Sequence, residues 1–359
     1  MIELSDECRL AFCVGVGGVG KTTFAAALAL REAMRGRSVL VLTADPARRL
    51  ADALGVHGLR DAPSEIRLPS RDGLGALQAA MLETKASADE IIRRAAADDA
   101  RAQRVLDNRI YLAFANTLAR SHAYAAMERV HEALHDPRYD LVVVDTPPAQ
   151  SSIEMLDAPL RLVQFLDQRV VRWFLTGSDD ASPLRGGALT QRLLRVVAGD
   201  SLVAALTEFL TEMAFLRDGF SERAGIVRDL MRSSSTKFVL VSSADLLGME
   251  AANSVADELD ERGFELAHVV FNRAFISEID GARRGRASYP ERLSGLAPKL
   301  EHMRLLLTQE QDQKQSNMIA FCGGHGMRAW ALPEATRPLG DTSALIAWIE
   351  RGRPIEPPS

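Results

Sequence analysis

The chain has no excess of positive charge. Its 43 lysines and arginines are outnumbered by 48 acidic residues, for a formal net charge of −5. That balance gives no electrostatic case for a nucleic-acid partner. Cysteine is nearly missing: Cys8, Cys13 and Cys322 are the whole set. An odd, scattered count excludes a disulfide framework and fits a reducing, cytoplasmic setting. No apolar run reaches the ~18 residues that a membrane span needs. The opening "MIELSDECRL" is acidic and mixed, unlike a secretory leader. No internal repeat is visible. What is present is an ordinary soluble composition, 47% hydrophobic and 25% charged over 359 residues. At roughly 100–200 residues per domain, that length predicts two or three domains, or one large α/β domain with an insertion. It also allows a core that needs neither disulfides nor structural metal.

Continuous apolar runs carry the fold signal. "LAFCVGV" (10–16) reads as a buried strand and "KTTFAAALALREAMRG" (21–36) as a helix stopped by Gly36. "SVLVLTAD" (38–45) reads as a second buried strand, and the three make a parallel βαβ unit. "YDLVVVD" (139–145), "KFVLVSS" (237–243) and "LAHVVFN" (266–272) repeat the texture. Such runs belong to a sheet covered on both faces, with ligands at its C-terminal edge. Residues 85–135 and 153–232 read instead as helical, the second interrupted by the loop 176–187. In the first, Tyr111, Phe114, Leu118, Met127, Val130 and Leu134 form one stripe.

The expected class is therefore α/β, a mostly parallel, doubly wound sheet with an inserted helical subdomain. The expected divisions are the first part of the core at 1–84 and a helical insertion at 85–135. A core strand with its following loop covers 136–152, and a helical subdomain covers 153–235. The rest of the core runs over 236–350, and 351–359 is a proline-rich, disordered tail.

The stretch from Gly15 to Thr22 fits G-x-x-x-x-G-K-[ST], and it lies after a predicted strand and opens a predicted helix. Gly17, Gly18, Val19 and Gly20 would turn backbone N–H groups toward phosphates. Lys21 is placed for the β/γ-phosphates, Thr22 for Mg²⁺ and Thr23 for the α-phosphate. The sheet is thus expected to be a P-loop NTPase sheet. No lysine has an aspartate two places on, as guanine-specific loops do, so the nucleotide is read as ATP or ADP. Asn272 and Arg273 end a late strand, and an asparagine amide pairs well with adenine's edge. Asn272 is equally readable as a strand-end cap.

Asp145, after "LVVV", is placed like the aspartate that holds Mg²⁺ through water. Asp45 has two readings: it orients or deprotonates the attacking water near the metal, or it caps the helix starting at Pro46.

Taken in order, "GGVGKTT", "DPARRLADALG", "VVDTPP", "FVLVSSAD" and "VVFNR" resemble the ArsA-type ATPases over about residues 10–275. That family includes the arsenite-pump ATPase and the ATPase that targets tail-anchored membrane proteins. The middle segments "AMLETK", "YAAMERV" and "LDAPLRLVQFLD" look most like bacterial anion-transporting ATPases. The resemblance implies a Mg²⁺-dependent ATPase with phosphate contacts from Gly17 to Thr23, Mg²⁺ on Thr22, a water-activating Asp45 in the first switch, Asp145 in the second, and an adenine contact at Asn272. It also implies a dimer with nucleotides facing each other across the interface.

Three departures qualify it. Val16 stands where the family's loop has a lysine that reaches the partner subunit. Arg48 or Arg49 either takes over that charge or is a solvated helix residue; a paralogous partner in a heterodimer is the other source. The chain has no Cys-x-x-Cys pair, and it has one phosphate loop where the arsenite pump has two. "CGGHG", with Cys322 and His325, reads as a loop. The apolar stretches 161–175 and 202–216 either pack on each other or line a groove for a hydrophobic protein client. The functional readings are a nucleotide-driven switch on a client, a metalloid-pump subunit, or a weakly catalytic scaffold with an active paralogue.

Overall fold

A computed structural model describes residues 2–44, 49–69, 75–81, 98–108, 122–146, 200–275 and 295–355, with 89, 92–93, 96 and 110–111. The chain divides into two units. The first holds Met1–Met81, Glu132–Ser152 and Arg232–Ser359; the second holds Leu82–His131 and Ile153–Met231.

In the first unit the sheet grows outward from Leu10–Val14 (β1), whose five residues are all buried. Helix α1 (Lys21–Met34) leads to β2 (Ser38–Thr43). A short helix α2 (Arg49–Leu54) precedes β3 (Ser64–Glu65) and β4 (Ala76–Met81). After the second unit's first portion come β5 (Leu141–Asp145) and, later, β6 (Thr236–Ser243). Helix α6 (Leu246–Glu261), β7 (Leu266–Phe275), α7 (Ala297–His325), β8 (Ala329–Pro333), α8 (Thr342–Ile349) and β9 (Arg353–Ile355) complete the order.

Among the described residues the sheet has nine strands in the order β3-β4-β2-β5-β1-β6-β7-β8-β9. The strands from β4 to β8 are parallel to their neighbours. Only the two-residue β3 and the three-residue β9 run antiparallel, at the edges. Short edge strands leave little backbone for another chain to pair with.

Burial on both faces explains why β1 and β5 are apolar throughout rather than alternating. Each Val or Leu taken out of water there contributes about 1.5–3 kcal/mol. The alanines of α1 let it lie close to the sheet; Ala25 to Ala29 are fully buried. The chain leaves β1 for β2, beyond β5, and returns through β5 to β6 on β1's other side. Winding therefore reverses around β1, and a crevice opens at the C-terminal strand ends there.

The start of the chain is tied down by a buried charge. Glu32 on α1 is fully buried and accepts hydrogen bonds from Leu4 N at 3.3 Å, Arg35 at 3.0 Å and Arg37 at 3.2 Å. Arg35 also donates to the Leu4 carbonyl, and Arg37 to the Cys8 carbonyl. Residues 4–8 are thereby fixed to the C-terminal end of α1.

The opening of α6 is capped by Asp245, which accepts from the Gly248 N–H at 2.9 Å. That bond, then one from Ser243, holds the Asp245 carboxyl below its ordinary range. The cap is therefore in place at neutral pH and is lost only as acid protonates it.

In the second unit α3 (Asp99–Asp107) is capped by Asp98, which accepts from Arg101 N at 2.8 Å. It is bonded to α5 (Asp200–Met231) through Arg104 to Glu212, at 2.7 Å. Just past its end, Asn108 donates to the Ala205 carbonyl at 3.1 Å. Helix α4 (His122–His135) carries the chain across the division between the units. Of the stripe expected here, Tyr111, Met127 and Val130 are buried; Phe114 and Leu118 lie outside the described residues. In α5, Phe209 and Leu210 are buried. No described helix is long and apolar enough to cross a membrane.

Two local expectations are corrected. "CGGHG" is no loop from Cys322 to His325: these residues close α7, which stops at left-handed Gly326, φ +63°. Packing of Phe321 and Cys322 into the core holds that turn despite the weak helix propensity of its glycines. Nor is 351–359 disordered throughout. Arg353–Ile355 pair with β8, and the Arg353 guanidinium stacks over Phe275 at 4.4 Å.

Candidate functional site

The site is built where β1 ends. Gly15 leaves the strand at φ +147°, and a Cβ there would stand 2.0 Å from the Val241 carbonyl oxygen of β6. Only glycine passes so close to a neighbouring strand. The loop turns again at Gly20, φ +93°, which caps α1 in a left-handed conformation. A Cβ at Gly20 would come 2.4 Å from Asn272 Nδ2.

Lys21 opens α1. Its side chain folds back over the loop, and Nζ donates to the Val16 carbonyl at 2.9 Å. Val16 itself packs its half-buried side chain on the core. The loop thus surrounds the N-terminus of α1, where first-turn N–H groups and the helix dipole favour an anion.

Asn272, at the end of β7, braces this loop. Its Nδ2 donates to the Val19 carbonyl at 2.8 Å, and its Oδ1 accepts from the Arg273 N–H at 2.8 Å. Arg273 bends the strand end through a left-handed conformation, φ +53°, and is exposed. The Asn272 amide thus ties the loop, through Val19, to its own strand, through the Arg273 N–H.

Asp145 is fully buried at the tip of β5, level with Cys13 of β1 and Thr43 of β2. It accepts a hydrogen bond from Thr43 Oγ1 at 2.9 Å. Thr146 donates its hydroxyl to the Cys13 carbonyl at 2.7 Å. Burial, and then the Asp145 carboxylate beside it, push the Cys13 thiol well up. The strand tips therefore present oxygen donors and a neutral thiol.

Above them lies a cavity of about 670 Å³. Nucleotide-sized ligands occupy pockets of about 300–1,000 Å³. Gly17, Gly18, Gly20, Lys21, Thr22 and Thr23 line it from the loop and the start of α1, and Thr146 from just past β5. Arg49, Asp52 and Ala53 line it from α2, and Pro338, Leu339 and Gly340 from the approach to α8.

The loop residues expected from the sequence thus come together, apart from Val19, whose side chain is buried. Asn272 and Arg273 stand at the loop's support, not among the cavity's described walls. Asp45 and Arg48 lie outside the described residues, as do 147–151 and 161–175. The partnership of Thr43 with Asp145 and the wall from Pro338 to Gly340 have no motif of their own. A proline and glycine just before the Asp341 cap of α8 were the one available signal.

The model of the family described as anion-transporting ATPase matches residues 8–286. The chain belongs to the anion-transporting ATPase family. As a member it is a nucleotide-binding, ATP-hydrolysing enzyme. Among relatives, it is 26% identical to the ATPase get3 of Aspergillus terreus, over 87% of this chain and 89% of that one. It is 25% identical to the ATPase GET3 of Malassezia globosa, over 73% of this chain and 71% of that one.

The cavity suits a magnesium nucleotide. Its wall carries the hydroxyls of Thr22, Thr23 and Thr146, hard oxygen ligands of the kind Mg²⁺ prefers, and the buried Asp145 carboxylate directly precedes Thr146 in the chain. Among the described residues no three of His, Cys, Asp and Glu come together as a metal-holding group. A phosphate-bound Mg²⁺ that keeps several waters does not require one.

Proposed function

We propose that this ATPase binds Mg·ATP in the cavity around Lys21 and uses its hydrolysis as a switch on a protein partner. One observation carries the reading: the cavity's floor is the glycine loop and first turn of α1, with Lys21, Thr22 and Thr23 together on it. Backbone N–H groups of Gly17 to Thr23 hold the phosphates, and Lys21 leaves the Val16 carbonyl for the β/γ-phosphates. Thr22 and Asp145, the latter steadied by Thr43, would hold the Mg²⁺, Asp145 through water. When bound, Mg²⁺ neutralises charge on the β- and γ-phosphates. Asp45 orients the attacking water. Asn272 keeps the loop in shape, and the family resemblance supports it as an adenine contact.

The family resemblance supports a dimer, of this chain with itself or with a paralogue, and a hydrophobic protein client. The second, helix-rich unit supplies a surface for such a client; Leu202 and Ile226 of α5 are exposed on it.

A metalloid pump is disfavoured by the cysteines. Thiolate is the form that binds soft metal. Burial pushes Cys8 up to about 11 and raises Cys322 and Cys13 as well. Phosphate release by the purified chain is therefore expected to require Mg²⁺, to stop with a chelator and to ignore added arsenite. Thr22→Ala is expected to lower the rate about 10²-fold and to raise the Mg²⁺ concentration needed. Metal-independent release, or stimulation by arsenite, would contradict this reading.

A further inference from the structure

The loop from Gly15 to Thr23 contains a single cation, Lys21. Val16 adds none, and its carbonyl is the acceptor on which Lys21 rests. A triphosphate with one divalent ion still carries negative charge, and that charge moves toward the β–γ bridge as the terminal phosphate leaves.

Helix α2 supplies a second cation at the same cavity. Arg49, Asp52 and Ala53 fall at i, i+3 and i+4, on one face of the helix, and all three line the cavity. Leu50, Ala51 and Leu54 are buried in the core, and α2 packs on α1. The rotation of α2 about its own axis is thus set by the core, and that setting keeps Arg49 on the cavity. Among the described residues of the wall, Lys21 and Arg49 are the cations and Asp52 the anion.

We infer that Arg49 grips the terminal phosphate of the nucleotide bound to its own chain and acts as the second cation of the hydrolytic site. This rests on the nucleotide reading above. The water oxygen bonds to the γ-phosphorus, and the bond from that phosphorus to the bridging oxygen breaks. Its electron pair stays on the β-phosphate of ADP, and the water's proton passes to solvent. The guanidinium fork donates to the equatorial oxygens of the terminal phosphate, over which its charge is spread in the transition state. Because ADP lacks that phosphate, Arg49 also makes the cavity prefer triphosphate to diphosphate. Asp52, one turn along, is tolerable beside phosphate only while Arg49 stands with it.

The test uses the full-length chain with Mg²⁺, a non-hydrolysable ATP analogue and ADP in calorimetry, and ATP in single-turnover phosphate release. Arg49→Ala is expected to weaken the analogue about tenfold or more and to leave ADP binding nearly unchanged. Its hydrolysis is expected to fall about 10²–10³-fold. Arg49→Lys restores part of the loss, and so does adding Asp52→Ala to Arg49→Ala. Mixing Arg49→Ala with Lys21→Ala chains restores nothing if the arginine serves its own chain.

Wild-type rate and wild-type preference for the analogue in a folded Arg49→Ala protein would overturn the inference while leaving the nucleotide site standing. Recovery in the mixture would overturn it too, by putting the arginine on a partner's nucleotide. If the unaltered chain binds neither nucleotide, the inference and the reading beneath it both fall.

Discussion

Lys21→Ala is expected to leave a folded protein that hydrolyses ATP about 10³-fold more slowly, a loss of about 4 kcal/mol in transition-state stabilisation. The lysine is buried and donates a hydrogen bond to the Val16 carbonyl, within the same loop. Removing it takes away that bond within the loop. The change strikes where charge develops, because Lys21 opens α1 and faces the cavity beside Thr22. Mg·ATP binding is expected to weaken about tenfold or more, since a charged hydrogen-bond partner is gone. Thermal melting should move little. A variant with full hydrolysis would remove Lys21 from the site; one that melts far below the parent would make the residue structural.

Glu32→Ala is expected to cost about 3–5 kcal/mol of stability, the usual penalty for breaking a buried ion pair from one side. The carboxylate is fully buried and receives Leu4 N, Arg35 and Arg37. Without it the Arg37 guanidinium, itself largely buried, loses its acidic partner, and residues 4–8 lose one of their ties to α1. Melting is expected to fall on the order of 5–10 °C. Glu32→Gln, which keeps the shape and one acceptor, should lose less. A melting point unchanged in Glu32→Ala would mean that the network is not what anchors the amino-terminal segment.

Much of the molecule was legible in the sequence, for physical reasons that differ by element. β1, β2, β5, β6 and β7 announce themselves because strands covered on both faces need apolar residues at every position. The phosphate loop is legible because Gly15 and Gly20 sit where the structure leaves no room for a Cβ. β4 escaped because "ALQAAM" is poor in β-branched residues; its pairing with β2 imposes the strand. β8 and β9 escaped similarly, since Arg353–Ile355 is a strand only by virtue of the edge it joins. In the site, spacing marks Lys21, Thr22 and Asp145. It carries no trace of Thr43 reaching Asp145 or of the wall at Pro338 to Gly340, which chain distance separates from the loop. Asn272 was legible as a strand-end amide, but its grip on the Val19 carbonyl belongs to the folded loop alone.

The central claim is that the turn from Gly17 to Thr23 closes around the phosphates of a magnesium nucleotide. Hydrogen exchange at those backbone amides, followed with and without Mg·ATP, tests it directly. The account predicts strong added protection at residues 17–23 on nucleotide addition, and in the Lys21→Ala protein the same protection only at a higher nucleotide concentration. Exchange there that is indifferent to saturating Mg·ATP would contradict it.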